Sequence, residues 1–120
     1  MNACIFCRIV AGEIPATFLH QDDAVVAFRD VQPQAPVHVL VVPRRHVASL
    51  LALDCGAGSP DARLAARLLD VAARVARDEG LADPDRGFRL VANTGPEGGQ
   101  SVDHLHLHVL GGRGLAWPPG

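Results

Sequence analysis

The sequence predicts an α+β domain: a mainly antiparallel sheet of about five strands, with one long helix and one or two short ones. Three observations carry this. Apolar stretches of strand length are separated by hairpin-length connections, as antiparallel strands require. Only one stretch, between Ser59 and Gly80, keeps a helical period for about five turns. Strands and helices do not alternate along the chain, which argues against a doubly wound parallel sheet. With 120 residues, the chain is expected to form a single domain, 1–120. That length buries about two-thirds of the unfolded surface without a disulfide framework.

In chain order, Cys4 to Gly12 reads as a short helix closed by its glycine. Thr17–His20 and Ala24–Arg29 read as two strands around a Gln21-Asp22-Asp23 turn. Gln32 to Pro36 is a rigid loop, because each proline fixes φ and pushes the preceding residue extended. Val37–Val42 is the most apolar stretch and reads as a central strand stopped by Pro43. His46–Leu53 suggests a short helix. Ser59-Pro60-Asp61 is a strong helix start: a capping hydroxyl, proline at the first position and an early carboxylate. Leu64, Leu68, Leu69, Ala72, Val75 and Ala76 then recur at helical spacing. Arg63, Arg67, Asp70, Arg74, Arg77 and Asp78 make the opposite, solvated face. Gly87–Ala92 reads as a strand, Asn93–Gln100 as a glycine-rich loop, and Gly111–Gly120 as an irregular tail.

Composition excludes several functions. A net charge of −2 leaves no electrostatic footprint for nucleic acid, and four Phe, one Trp and no Tyr give no base-stacking platform. No apolar run approaches a membrane span. Met1-Asn2-Ala3-Cys4 shows no signal-peptide pattern, and an odd count of three cysteines suggests a reducing compartment. A cytoplasmic location is therefore expected.

The chemistry concentrates in His104-Leu105-His106-Leu107-His108, which holds three of the six histidines. On a strand, residues two apart share a face, so the histidines line one face and the leucines the other. The outer histidines would lie about 13 Å apart, at roughly 3.3 Å per residue. Zn–N bonds of about 2.0–2.1 Å cannot span that distance. At least one histidine must do other work, and a neutral imidazole is a competent nucleophile or proton carrier. The preceding Asn93–Ser101 stretch supplies glycines that let backbone N–H groups approach an anion, and Ser101 adds a hydroxyl. Together they suggest a phosphate held beside a nucleophile. Separately, Cys4-x-x-Cys7 at a helix start offers two thiolates, a pattern suited to zinc once two histidines complete a tetrahedron. Buried apolar cysteines are the plainer reading of that pair.

Ser101-Val102-Asp103-His104-Leu105-His106-Leu107-His108-Val109-Leu110 resembles the histidine triad signature, His-x-His-x-His followed by apolar residues. The likeness covers nearly the whole chain through Cys4-Ile5-Phe6-Cys7, Ile14-Pro15-Ala16, Ala27-Phe28-Arg29-Asp30, Pro33-Gln34-Ala35-Pro36-Val37-His38, Pro43-Arg44-Arg45-His46 and Gly98-Gly99-Gln100-Ser101. The ending Gly111-Gly112-Arg113 with Trp117-Pro118-Pro119-Gly120 is similar to the Hint branch, the purine nucleoside phosphoramidases.

The resemblance implies the HIT-like fold and a homodimeric hydrolase acting on a nucleotide substrate, an adenosine or guanosine phosphoramidate that yields the nucleoside monophosphate, AMP for adenosine. His106 would attack the α-phosphorus and His108 would bond a phosphate oxygen. His38 would orient the histidine network, in which His104 flanks His106 as a catalytic partner and Ser101 contacts the phosphate or the leaving amine. Ser101, Gly99 and Gln100 would form the phosphate loop, with Asn93 helping to position the phosphate. Asp30 would grip the ribose, and Phe6, Ile9, Ile14, Phe28, Val31 and Leu40 would line the base pocket. No cofactor is implied for the chemistry. A structural zinc on Cys4, Cys7, His46 and His104 is implied from bacterial relatives. Asp103 and Ala116 depart from the family pattern, which bears on leaving-group preference. Two alternatives stand beside this reading: a dinucleoside polyphosphate hydrolase, and a nucleotide-binding scaffold that uses the same residues without turnover. A uridylyltransferase is disfavoured, because that branch carries glutamine where this chain has His108.

Overall fold

The computed structural model describes residues 3–120. Helix α1 (Ile5–Val10) begins at Cys4, whose Sγ accepts the N–H of Cys7 at 3.4 Å and serves as the N-cap. Strands β1 (Phe18–Gln21), β2 (Val25–Arg29) and β3 (Val37–Pro43) follow. The β1–β2 turn is held by Asp22, whose Oδ1 accepts the N–H groups of Ala24 and Val25 at 2.8 Å each. Helix α2 (Pro60–Asp78) starts at Ser59, whose hydroxyl caps Ala62 N–H. It ends where Gly80 takes φ +78° and Leu81 N–H bonds the carbonyl of Ala76, a closure that favours glycine. Strand β4 (Phe88–Val91), the single turn α3 (Gly95–Gly98) and strand β5 (Leu107–Gly111) complete the chain.

The sheet order is β1-β2-β3-β5-β4 and every pairing is antiparallel. Alternation splits the core between the two faces. Val25, Ala27, Val39, Val41, Leu107 and Val109 face α2, where Leu68, Val71, Ala72, Val75 and Ala76 cover them. Val26, Phe28, Leu40 and Val42 point the other way and pack with Phe6 and Ile9 of α1. Each fully buried Leu or Val contributes about 1.5–3 kcal/mol by leaving water.

Four expectations are corrected. His104, Leu105 and His106 precede β5 rather than belong to it. Pro43 offers no N–H to extend the ladder, and Leu105 N–H instead bonds the Val47 carbonyl. His46–Leu53 forms only a 3-10 turn, Leu50–Ala52, capped by the Ser49 hydroxyl. The glycine-rich loop contains the α3 turn, closed by Gly99 at φ +77°. In α2, Val71 occupies the buried stripe while Leu69 is 55% exposed, since one residue along a helix rotates the side chain by about 100°.

Candidate active site and metal centre

The face of the sheet opposite α2 carries both clusters of chemistry. Phe6, Ile9, Phe28 and Leu40 are buried together there, with Ile14, Phe18 and Val102 packed at their edge. Phe6, Ile9, Ile14, Phe28 and Leu40 are the apolar residues expected to line a base pocket, and Val31 is the sixth. Val31 is 91% exposed on the loop after Asp30 and stands apart from that cluster. Val102 joins the cluster unforeseen by sequence, because its neighbours Ser101 and Asp103 disguise it as a loop residue.

The triad histidines are buried: His104 and His106 almost completely, His108 in part. Their hydrogen-bond partners fix the tautomer of each ring. His106 Nδ1 lies 2.7 Å from the carbonyl oxygen of His104. A carbonyl only accepts, so in the neutral ring Nδ1 carries the hydrogen and Nε2 keeps a bare lone pair. His104 Nε2 lies 2.9 Å from the carbonyl of Pro43, so here Nδ1 is bare. His38 Nδ1 accepts the backbone N–H of Gln34 at 3.0 Å, which places the hydrogen on Nε2. That Nε2 lies 2.9 Å from His108 Nδ1, which must therefore accept, so His108 carries its hydrogen on Nε2. His108 Nε2 is buried and has no hydrogen-bond partner among the described residues.

The His106–His108 face thus offers a bare imidazole nitrogen on His106 and an imidazole N–H donor on His108. The two rings share a face with centroids 4.9 Å apart. Burial pushes the His108 imidazolium down to about 4, helped by the neighbouring His106 and His38 and opposed by Asp30. Burial also lowers His38, against the Asp30 carboxylate, whose Oδ2 is 3.3 Å from Nε2. His38 and His108 are therefore neutral near pH 7. Asp30 Oδ1 takes the N–H of Gln32, so this carboxylate is oriented by its own loop. The backbone N–H of Gln34 and the carbonyl of Pro43 direct the network but carry no side-chain signal that a sequence reading could use.

The phosphate-loop candidates precede the triad in the chain. Gly99 and Ser101 are exposed, and Asn93 is half-buried. Gln100 is held differently: its Nε2 donates to the carbonyls of Ala48 and Val102 at 2.8 and 3.0 Å, and its Oε1 accepts Gly95 N–H at 3.1 Å.

The second cluster joins α1 to the segment leading into β5. Cys4 Sγ, Cys7 Sγ, His46 Nδ1 and His104 Nδ1 all lie within 4.8 Å of one another. The individual separations are 3.3 Å for Cys4–His104, 3.3 Å for Cys7–His46, 3.5 Å for Cys7–His104 and 3.2 Å for His46–His104. Bond lengths of about 2.3 Å to sulfur and 2.0 Å to nitrogen give N–N and N–S tetrahedron edges of roughly 3.3–3.5 Å, so this donor set fits zinc. The bare Nδ1 of His104, set by Pro43, is the atom a metal requires. Asp30, His38 and His108 also gather within 4.8 Å. They do not fit an ion, because Gln34 N–H occupies His38 Nδ1 and leaves the hydrogen on the very nitrogen that would have to ligate.

An antiparallel α+β sheet presenting three such histidines beside a glycine-rich loop defines a histidine triad protein. The HIT domain model matches residues 11–115, and the chain belongs to that family. It is 51% identical, over 97% of its length and 96% of the relative's, to an uncharacterized HIT-like protein of Synechococcus elongatus. It is 47% identical to a 14 kDa zinc-binding protein of Brassica juncea, over 97% of this chain and 98% of that one. Its fold superposes on the crystal structure of a HIT family hydrolase from Legionella pneumophila with a TM-score of 0.89 and 46% identity, covering 98% of this chain and 99% of that one. No helix among the described residues is long and apolar enough to cross a membrane.

Proposed function

We propose that this protein is a nucleotide hydrolase that cleaves purine nucleoside 5′-phosphoramidates at the P–N bond, through a nucleotidyl-His106 intermediate. One observation carries the reading: the hydrogen-bond partners leave His106 Nε2 bare while they hold His108 Nε2–H as a donor on the same face. In the first step His106 Nε2 attacks the α-phosphorus, the P–N bond breaks, and its electron pair leaves with the amine, which takes a proton from water. In the second step the hydroxide left by that water attacks phosphorus, the P–Nε2 bond breaks with its electron pair returning to Nε2, and AMP and neutral His106 result. His108 N–H donates to a phosphate oxygen as charge develops. His104 donates only to Pro43, so its place is in the scaffold rather than on the phosphate. Ser101 and the Gly99 backbone face the phosphate and leaving amine with Asn93, Asp30 holds the ribose, and the Phe6–Phe28–Leu40 cluster takes the purine. The hydrolase described from Legionella supports the reaction class.

In the same reading, Cys4, Cys7, His46 and His104 hold a zinc, as the name of the Brassica relative supports. When bound, the ion supplies a cross-link between α1 and the triad segment, and no step of the chemistry. The protein pairs as a two-fold dimer through β4. Helix α2 packs on β1, β2, β3 and β5, while Phe88 and Leu90 stay 43% and 38% exposed on the outermost strand. An open edge with an apolar face is a surface that proteins cover.

The test is rapid acid quench of the protein turning over an adenosine phosphoramidate. An adenylylated peptide containing His106 is expected. An adduct on another residue, or AMP binding without turnover, refutes the mechanism, and the latter favours a nucleotide-binding scaffold.

A further inference from the structure

Three consecutive residues, His46, Val47 and Ala48, each hold a different part of the reacting face. His46 places its Nδ1 in the Cys4–Cys7–His104 cluster. The Val47 carbonyl accepts Leu105 N–H, between two triad histidines. The Ala48 carbonyl accepts the Gln100 amide, 2.8 Å away. Gln100 passes that anchorage on: the same Nε2 reaches the Val102 carbonyl, and Oε1 takes Gly95 N–H at the start of α3. One side chain thus ties both ends of the Gly95–Val102 loop to residue 48. The loop's glycines give it little stiffness of its own. A second link runs from the same cluster through α1. Phe6 lies in sequence between Cys4 and Cys7, and its ring meets His104 and His106 edge-on, with centroids 5.9 and 4.9 Å away.

We propose that Gln100 is a positioning residue that couples metal occupancy at the Cys4/Cys7/His46/His104 centre to the geometry of the phosphate loop, by way of the His46–Val47–Ala48 segment. An ion at the centre fixes His46, and with it the two carbonyls next along the chain. Those carbonyls fix the triad segment and, through Gln100, the loop. Among the described residues, the Gln100 side chain bonds Gly95, Ala48 and Val102, and none of these is a ligand of the centre or a triad histidine. The metal is thereby a determinant of turnover as well as of stability. The catalytic part of this inference rests on the hydrolase reading; the coupling does not.

Coupling between two sites is reciprocal, and this supplies a test independent of turnover. The Gln100→Ala protein touches no ligand atom, yet chelator competition should find its zinc affinity weakened by about five- to tenfold. In the wild type, amide hydrogen exchange across residues 95–106 should slow on zinc loading by a similar factor, and in Gln100→Ala the zinc-induced slowing over 95–102 should be mostly lost. Unchanged zinc affinity in the variant overturns the coupling. So does an identical zinc effect on exchange in both proteins. Both zinc-loaded proteins are then compared on an adenosine phosphoramidate, where kcat should fall about tenfold in Gln100→Ala with KM changed less. Gln100→Glu sets a carboxylate against two carbonyl oxygens. It should lose more near pH 8 and recover towards pH 5, as the acid regains a donor hydrogen; a pH profile parallel to the wild type would reject the bonding role. A wild type with no turnover refutes the hydrolase reading, while the affinity and exchange measurements still decide the coupling.

Discussion

His38 and His108 meet diagonally across the β3–β5 pair, Nε2 to Nδ1, at 2.9 Å. The Gln34 N–H on the far side of His38 gives that bond its direction. Arg113, from the tail, donates to the Gln34 carbonyl at 2.9 Å and steadies the loop that supplies the N–H. A chain of hydrogen bonds therefore runs from residue 113 to the donor that would face the phosphate.

Removing the middle of that chain should release the His108 tautomer. His38→Ala is expected to lower kcat by about 10- to 100-fold with AMP affinity little changed, the usual scale for losing an orienting partner. His38→Gln keeps an amide donor and should recover part of the loss. Steady-state kinetics with calorimetric AMP titrations measures both, and equal kcat in His38→Ala and wild type would show that His108 is oriented otherwise.

Burial of His108 also makes stability depend on pH. Unfolded, its imidazole binds a proton below about 6.5; folded, it does so only near 4. Between these values the unfolded state holds more protons, so stability falls as pH falls through that window. His108 alone gives a loss of about 3 kcal/mol, and His38, lowered for the same reason, adds to it. Urea unfolding at pH 7 and pH 4 should show the slope, and His108→Asn should lose the His108 share of it.

Much of this was legible in the sequence, and the exceptions are specific. Alternation placed Leu105, Leu107 and Val109 in one core and the histidines on the other face, and this holds even where His104 to His106 leave the ladder. Ser59 and Gly80 bounded α2 as their capping chemistry requires. Hidden from any sequence reading were the main-chain atoms that set the tautomers, Gln34 N–H and the Pro43 and His104 carbonyls, because every residue owns such groups and only the fold selects which ones act. Val31 follows a related limit: an apolar residue next to Asp30 reads as pocket, and the loop sets its side chain exposed, outside the buried Phe6–Phe28–Leu40 cluster.

The metal centre makes a prediction of composition. Protein purified without chelator should carry about one zinc per chain, and Cys4→Ser or Cys7→Ser should lose it with a fall in Tm, because a ligand that binds only the folded state stabilises it. Elemental analysis with thermal unfolding decides this. Zinc retained at full stoichiometry in Cys4→Ser would exclude the four-residue set.

Assembly should depend on the β4 edge. A Leu90→Glu change puts a charge on the apolar rim beside Phe88, where two copies of the strand would meet, and should shift a dimer to monomer by light scattering at micromolar concentration. The tail has a different part. Arg89 donates to the Ala116 carbonyl and its guanidinium lies 5.9 Å from the Trp117 ring, which is 80% exposed. Deleting residues 115–120 should change the preference among leaving amines more than it changes the dimer. A wild type that scatters as a monomer would refute the pairing.

The sharpest separation lies between the two histidines 4.9 Å apart on one face. His106 supplies the bare nitrogen, and its removal deletes the covalent route itself. His106→Ala should therefore lower kcat by at least on the order of 10³-fold. The fold and AMP affinity should survive, since the ring is held by one backbone carbonyl and by the edge of Phe6. His108 supplies a donor to charge that grows in the transition state, and one such donor contributes about 10²- to 10³-fold. His108→Ala should still form the nucleotidyl-enzyme, more slowly, and acid quench should trap it; His106→Ala should trap none. The opposite result, an adduct that survives loss of His106 and vanishes with His108, would exchange the two roles.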